Sequence, residues 1–160
     1  MIAKGLWITS AVLALGLTAP ARAEVDLASA ANCMTTRIDT GENPAQCIDE
    51  AHAACQATPQ DSPAIAILCY RTAQAAWDAG IKTEMARIND RADDRIAAIA
   101  AVELKYDLIA SLTQCDRMEE LALVGSDISA ETVQRQKARC QASSAGLAYL
   151  RVTLRGRSIK

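Results

Sequence analysis

The chain has 160 residues, a length typical of one domain, and carries 17 Lys and Arg against 19 Asp and Glu. This slightly acidic charge balance, with no Phe and few other aromatic residues, argues against a nucleic-acid-binding protein. The single His has no matching residues around it in sequence that would form a catalytic or metal-binding set. We therefore expect no enzyme activity, no metal and no cofactor.

Residues 1–23 have the pattern of a secretory signal peptide. Lys4 precedes an apolar stretch over residues 5–17, and Ala21 and Ala23 fit an A-x-A cleavage motif. The apolar stretch is too short for a membrane anchor, so we expect no transmembrane segment after cleavage near Ala23. The sequence therefore predicts an exported protein that is periplasmic or secreted.

Six cysteines follow the predicted cleavage point. An even number of cysteines in an exported chain predicts a disulfide framework, here of three bridges. No C-x-x-C pair is present, which argues against a zinc site and against covalent haem attachment. The bonded residues would be Cys33, Cys47, Cys55, Cys69, Cys115 and Cys140.

The first part of the predicted domain, residues 24–160, shows little regular patterning. Residues 24–43 have no sustained apolar period and carry turn residues at Thr40 and Gly41, so we predict an irregular segment. Asn43 then caps a short predicted helix that has Pro44 at its first position and ends before "TPQDSP".

Three longer helices are predicted after this point, because apolar residues recur there at intervals of three and four. The first starts at Ser62 and Pro63, the second after Asp93 or Asp94, and the third after Ser129. We predict an all-α fold, a small bundle of about four helices braced by three disulfides. The expected buried faces are Ile65, Leu68, Cys69, Ala73, Trp77, Ile81, Met85 and Ile88; then Ile96, Ile99, Val102, Tyr106, Ile109, Leu112 and Cys115; then Val133, Ala138, Cys140, Leu147, Leu150 and Leu154.

The disulfide connectivity depends on which helices form hairpins. A turn near residue 92 places Cys69 and Cys115 at equal height on the two helices that it joins. A turn near residue 127 does the same for Cys115 and Cys140. Cys33 pairs with Cys47 in either scheme. The two alternatives are Cys69–Cys115 with Cys55–Cys140, and Cys55–Cys69 with Cys115–Cys140.

The cysteine order and the residues after Cys69 carry a family resemblance. Asp78 follows Cys69 by nine residues, and Cys115 and Cys140 flank the turn "VGSDIS". Cys55 would be the first cysteine of the pattern. This arrangement resembles the periplasmic lysozyme inhibitors of the LprI type, over about residues 55–154.

The resemblance implies a periplasmic binding protein that blocks a lysozyme by protein–protein contact. Lys82 and Met85 stand where that family has Asn and Tyr. Residues 24–66 hold seven acidic residues and one basic residue, and an acidic surface would steer association with a basic lysozyme. The candidate binding residues are Asp39, Glu42, Asp49, Glu50 and Asp61.

The opposite end of the chain has the opposite charge. Beyond Glu131 there are seven basic residues and no acidic ones. This basic C-terminal segment would approach an anionic lipid or polymer, lie against the acidic part of its own chain, or remain solvated. An alternative function is therefore a structural or assembly module of the cell envelope that holds another protein and has no inhibitory activity.

Overall fold

The computed structural model describes residues 25–125 and 127–159, which form helices and no β-strand. The predicted all-α fold is confirmed, with six helices in this part of the chain rather than about four. The predicted signal peptide, residues 1–23, lies outside the described residues. The helices are α1 (Leu27–Asp39), α2 (Gln46–Ala51), α3 (Ala53–Gln56), α4 (Pro63–Arg91), α5 (Asp94–Gly125) and α6 (Ala130–Arg157).

Helix α1 corrects the prediction of an irregular segment over residues 24–43. The Asp26 carboxylate accepts hydrogen bonds from the backbone N–H groups of Ala28 and Ser29, at 2.9 and 3.2 Å, and caps the helix. Met34 is buried in the core and anchors the middle of the helix. This segment lacks a long apolar period, so its helix depends on the cap and on tertiary packing.

The predicted turn at Thr40 and Gly41 is confirmed and ends α1. Gly41 has a φ of +73°, a conformation that glycine adopts without a steric penalty. Its N–H donates to the carbonyl of Ile38 at 3.1 Å, and the N–H of Glu42 donates to the carbonyl of Arg37 at 2.7 Å. These two bonds form a Schellman motif, which satisfies carbonyl groups at the end of the helix.

The short helix predicted from Pro44 is divided and starts later than expected. The Asn43 side chain accepts from the N–H of Ala45 at 3.0 Å and forms a turn there, so α2 begins only at Gln46. His52 interrupts the helical path and separates α2 from α3. The chain therefore makes two short helices where one was expected.

The starts of the three long helices agree with the prediction. Pro63 is the first residue of α4, although the Ser62 side chain makes no capping bond. An Asp93 carboxylate oxygen accepts from the N–H of Ile96 at 2.9 Å, before α5. The Ser129 hydroxyl accepts from the N–H of Thr132 at 3.3 Å and caps α6.

All six cysteines are bonded, and each pairs with its neighbour in sequence. The structure therefore selects the second of the two predicted schemes. Cys55–Cys69 fastens α3 to the first part of α4, and Cys115–Cys140 fastens α5 to α6. The third bridge, Cys33–Cys47, joins α1 to α2.

Helix α6 lies between the other two long helices. It packs extensively against α4 and less extensively against α5, while α4 and α5 barely touch each other. Helices α1, α2 and α3 contribute to the main core, which lies between them and the pair α4 and α6. Within the described residues, no helix has the length and apolar content that a membrane span requires.

Glycine and alanine residues let α4 and α6 approach closely. A Cβ added at Gly80 would lie 2.8 Å from Cε2 of Tyr149, and one at Gly146 would lie 2.7 Å from Cγ2 of Ile48 and 3.2 Å from Trp77. The ring of Trp77 is fully buried at this crossing. Gly80 is therefore a packing contact between α4 and α6.

The predicted buried face of α4 is partly wrong. Ile65 and Leu68 are 63% and 67% exposed, whereas Ala66 and Tyr70 are buried in their place. Residues farther along α4, such as Trp77, are buried as predicted, so only the first turns of the helix depart from the expected face.

We expect Gly80→Ala to destabilise the protein, because the added methyl group would overlap the buried ring of Tyr149, and this overlap alone costs about 1–3 kcal/mol. Alanine favours a helix over glycine by about 1 kcal/mol, so the helix propensity acts in the opposite direction. Gly125→Ala is the matched control, since no heavy atom lies within 4 Å of its added Cβ. Equal stability of the two variants in urea unfolding would contradict the close contact.

Candidate functional site

Arg37 organises two of the five predicted acidic binding residues. One guanidinium nitrogen lies 3.1 Å from the Glu42 carboxylate and 2.6 Å from the Gln46 side-chain oxygen, and the other lies 2.5 Å from the Glu50 carboxylate. These bonds tie the end of α1 to α2. The carboxylates of Glu42 and Glu50 are exposed, but part of their charge is already neutralised by Arg37.

The other three predicted acidic residues are spread over the surface. Asp39 forms a 3.5 Å ion pair with Arg157, which brings the basic C-terminal part of α6 to the acidic N-terminal part of the chain. Asp49 is exposed on α2, and Asp61 accepts a hydrogen bond from the neighbouring Ser62 hydroxyl at 3.2 Å. Thus Asp39, like the pair held by Arg37, is engaged within the molecule.

Glu50 also belongs to the group of potential metal ligands found in the part of the chain that the structure describes. Its carboxylate lies 3.5 Å from the sulfur of Cys33, and Cys47 is beside them. The two sulfur atoms are bonded to each other, so neither is a thiolate ligand. The arrangement is a disulfide with a carboxylate beside it.

His52 lies in a buried aromatic cluster. Its Nε2 accepts a hydrogen bond from the indole Nε1 of Trp77 at 2.9 Å, and its ring meets those of Trp77 and Tyr70 edge-on. Burial lowers the pKa of His52, with Asp49 acting in the opposite direction and Arg139 in the same direction. The imidazole is therefore neutral at pH 7 and serves the core as an acceptor for the Trp77 indole.

The most unusual surface is the outward face of α5. Helix α5 has 32 residues but buries only Ala100 and Cys115. Five of the seven residues predicted to form its core face are instead exposed, among them Ile99, Val102, Tyr106 and Ile109 at 40–64%, whereas Cys115 is buried as predicted. We call these four exposed residues the α5 seam. They are spaced by three, four and three residues, as in the contact stripe of a coiled coil.

The opposite side of α5 carries the contacts to α6. Arg151 pairs with Asp107, Arg155 lies 3.4 Å from Glu103, and Lys137 lies 2.5 Å from Glu119 and 2.9 Å from Asp116. Beside this row of ion pairs, the Cys115–Cys140 bridge provides a covalent attachment. Ion pairs, the disulfide and a small apolar contact around Leu104 therefore hold α5 in place while its apolar seam stays exposed.

Unpaired cations border the α5 seam. Arg95, Lys105 and Arg117 are exposed on α5 and make no ion pair within the described residues. Lys105 lies 5.9 Å from the centre of the Tyr106 ring. The α5 carboxylates beside the middle of the seam in sequence are paired with α6 and so do not pair with these cations.

Comparisons with known proteins found no matching family model, no matching curated protein and no matching solved structure. The resemblance to the LprI type therefore stays a prediction. The case for function depends on the geometry of this chain.

We expect the protein to lose stability as the pH falls below about 6.5, because the unfolded His52 then takes up a proton that the buried imidazole disfavours. The stability contribution is present above this pH and decreases toward the lower pKa of the folded state. Urea unfolding at about pH 7.5 and about pH 5.5 would measure it.

His52→Gln is the control for this pH dependence, since glutamine offers an acceptor to Trp77 but does not titrate. The difference in unfolding free energy between the two pH values should be smaller in this variant. The same difference in the variant and the unmodified protein would assign the pH dependence to other groups.

Proposed function

We propose that this chain is an exported binding protein without catalytic activity, and that its α5 seam binds an acidic amphipathic helix of a partner protein. The observation that carries the proposal is an exposed apolar stripe on a helix that is otherwise fixed to the molecule. Export is supported by the signal-like pattern of residues 1–23 and by three disulfides, which are typical of oxidising compartments.

The concentration of exposed apolar side chains on one helix supports a binding role. Of the large apolar side chains that are exposed in the described residues, most belong to α5, and Ile96 extends the seam toward its start. Scattered apolar side chains are normal on a protein surface, but contiguous patches of a few hundred Å² commonly mark interaction sites. The seam therefore has the character of an interface.

The spacing of the seam favours a helix as the bound element. Alternating intervals of three and four residues present a continuous ridge along one side of α5, and a second helix with the same period packs along such a ridge. Recognition of an amphipathic helix by an apolar surface is a common binding mode. Tyr106 provides the large aromatic side chain that often dominates such interfaces.

The charges around the seam favour an acidic partner. Arg95 precedes the seam by one turn, Arg117 follows it by two turns, and Lys105 lies between them. A partner helix with Glu or Asp beside its apolar stripe would pair with these cations, which steers association and suppresses other partners. A second copy of this chain would instead bring the same three cations to the interface.

The proposal assigns no catalytic role to the polar residues. The single His is buried as a neutral core residue, and four of the six carboxylates of α5 are held in ion pairs with α6. These arrangements serve packing, whereas a general acid or base must reach the reacting group.

A synthetic helix tests the proposal directly. The probe has leucine at the a and d positions of each heptad and glutamate at the flanking positions, and carries a fluorophore for anisotropy measurements. Val102→Glu combined with Tyr106→Glu should weaken binding by about tenfold or more, because two carboxylates would enter an apolar contact. Combined Arg95→Glu and Arg117→Glu should shift the preference to a probe with lysine at the flanking positions.

Ile65→Glu combined with Leu68→Glu is the matched control, since these two side chains are as exposed as those of the seam but lie on α4. It should leave binding unchanged. Equal binding of the acidic and basic probes, or equal loss in the control, would overturn the proposal. Self-association that the Val102 and Tyr106 substitutions abolish would identify a second copy as the occupant instead.

A second candidate function is inhibition of a lysozyme, as the family resemblance implies. It is supported by the exposure of all five predicted acidic residues, which lie on α1, on α2, in the loop between them and in the loop between α3 and α4. An excess of this protein would then obstruct the enzyme through an acidic surface that is separate from the α5 seam.

We expect this candidate to give stoichiometric loss of lysis in a turbidity assay of lysozyme on bacterial cell walls. Asp49→Lys combined with Asp61→Lys should weaken the inhibition, because these two carboxylates are not held by an Arg within the molecule. Unchanged lysis at a large excess of oxidised protein would exclude inhibition of the lysozymes tested and leave the α5 proposal unaffected.

A further inference from the structure

A cleft opens where α4, α5 and α6 meet, on the side of α5 that faces away from the α5 seam. Its volume is about 280 Å³. Its apolar wall combines side chains from all three helices, and its polar wall consists of two ion pairs between α5 and α6. The apolar lining residues are Ile88, Ala100, Leu104, Ala148 and Val152.

The cleft results from the way the three long helices pack. Helices α4 and α5 both lie against α6 but barely touch each other, so a gap remains between them. Ala100 and Ala148 face this gap and are too small to fill it. Protein interiors are normally close-packed, and a gap of this size approaches the lower end of small-molecule binding pockets.

The polar wall of the cleft contains an unsatisfied donor. Arg155 Nη2 lies 3.4 Å from the Glu103 carboxylate, a long contact, and Arg155 Nε is buried without any acceptor. A guanidinium has five N–H donors and no acceptor. That Nε is closed off, but the Arg155 side chain as a whole is 38% exposed, so its Nη groups can donate charge-assisted hydrogen bonds to an oxygen atom in the cleft.

We propose that this cleft binds a small amphiphile that has a medium-length aliphatic chain and a carboxylate head group. The chain would lie along the apolar wall, where it is removed from water. The carboxylate would accept hydrogen bonds from Arg155, whose planar fork matches the geometry of a carboxylate. This site is independent of the α5 seam and of the acidic surface.

The chemistry of the lining decides against other classes of ligand. The two carboxylates and two guanidinium groups of the lining are paired with each other, but Arg155 holds Glu103 only through one long contact and has donors left for a carboxylate, whereas an ammonium head group would have to displace an arginine. A polyol would leave its hydroxyl groups without partners against the apolar wall. A carboxylate on an aliphatic chain would contact the apolar wall with its chain and accept hydrogen bonds from Arg155 with its head group.

Calorimetric titration of the oxidised protein with octanoate tests the proposal, with octanol and octylamine as probes of the same chain length. Octanoate should bind more tightly than either. Ala100→Leu should weaken octanoate binding by at least about tenfold, because the larger side chain would occupy the cleft. Ala101→Leu is the matched control, since the neighbouring alanine is exposed and does not line the cleft.

Arg155→Gln distinguishes the contribution of the carboxylate head group to binding from that of the aliphatic chain. It should weaken octanoate binding by about tenfold and leave octanol binding unchanged, because only the carboxylate depends on the guanidinium. Arg157→Gln, on the same helix but outside the cleft, should change neither. If Ala100→Leu fails to fold by circular dichroism, this comparison still decides the outcome.

The proposal would be overturned by absence of octanoate binding, by equal binding of octanoate and octylamine, or by equal binding to the Ala100→Leu and Ala101→Leu variants. Loss of octanoate binding in the Val102→Glu and Tyr106→Glu variant would place the ligand on the α5 seam and also overturn it. Retention of octanoate binding in that variant is the result expected for a separate site.

Discussion

The fold depends on how closely the chain can approach the indole of Trp77. Gly146 of α6 lies beside the Trp77 ring, and Tyr149 packs over it with 5.3 Å between ring centres. On the other side, His52 accepts the indole hydrogen bond and so fixes the junction of α2 and α3. One side chain thus joins three parts of the chain, and the small residues of α6 make room for it.

This arrangement places the core on one side of the molecule. The small-residue face of α6 packs against α4 and α2, and a smaller apolar cluster around Val152 is left for α5. Ion pairs such as those of Arg151 and Lys137 and the Cys115–Cys140 bridge add to this contact. Ion pairs on a surface contribute little each, about 0–1 kcal/mol, so the disulfide is the firmer attachment. The exposed seam and the cleft both follow from this division of contacts.

Much of the fold could be predicted from local signals. Signals at Pro63, Asp93 and Ser129 placed the starts of the long helices within a residue, because capping depends on nearby backbone groups. Helix α1 has one local signal, its Asp26 cap, but no apolar period, and its stability also depends on burying Met34 against distant residues. Hairpin geometry alone left two disulfide schemes open, because both place the paired cysteines at equal height.

The residues of the α5 seam were predicted to be buried because they were assigned to the same helix face as Cys115. Between Ile96 and Cys115 an α-helix makes five full turns and then rotates by about 100° more. The two residues therefore lie on different faces of α5. The disulfide fixes the face of Cys115 as the inner one, which turns the seam outward. A prediction that started from Cys115 would have selected Ala100 and Leu104 as inner residues. The acidic residues were identified correctly as exposed, but their pairing with Arg37 and Arg157 depends on tertiary contacts.

The pairing of neighbouring cysteines has a consequence for how such a chain matures. When a polypeptide enters an oxidising compartment with its N-terminus first, each cysteine meets its correct partner before any later cysteine has emerged. Oxidation in order of appearance therefore yields the native bonds directly. A chain of this kind needs a catalyst that introduces disulfides but has no requirement for one that rearranges them.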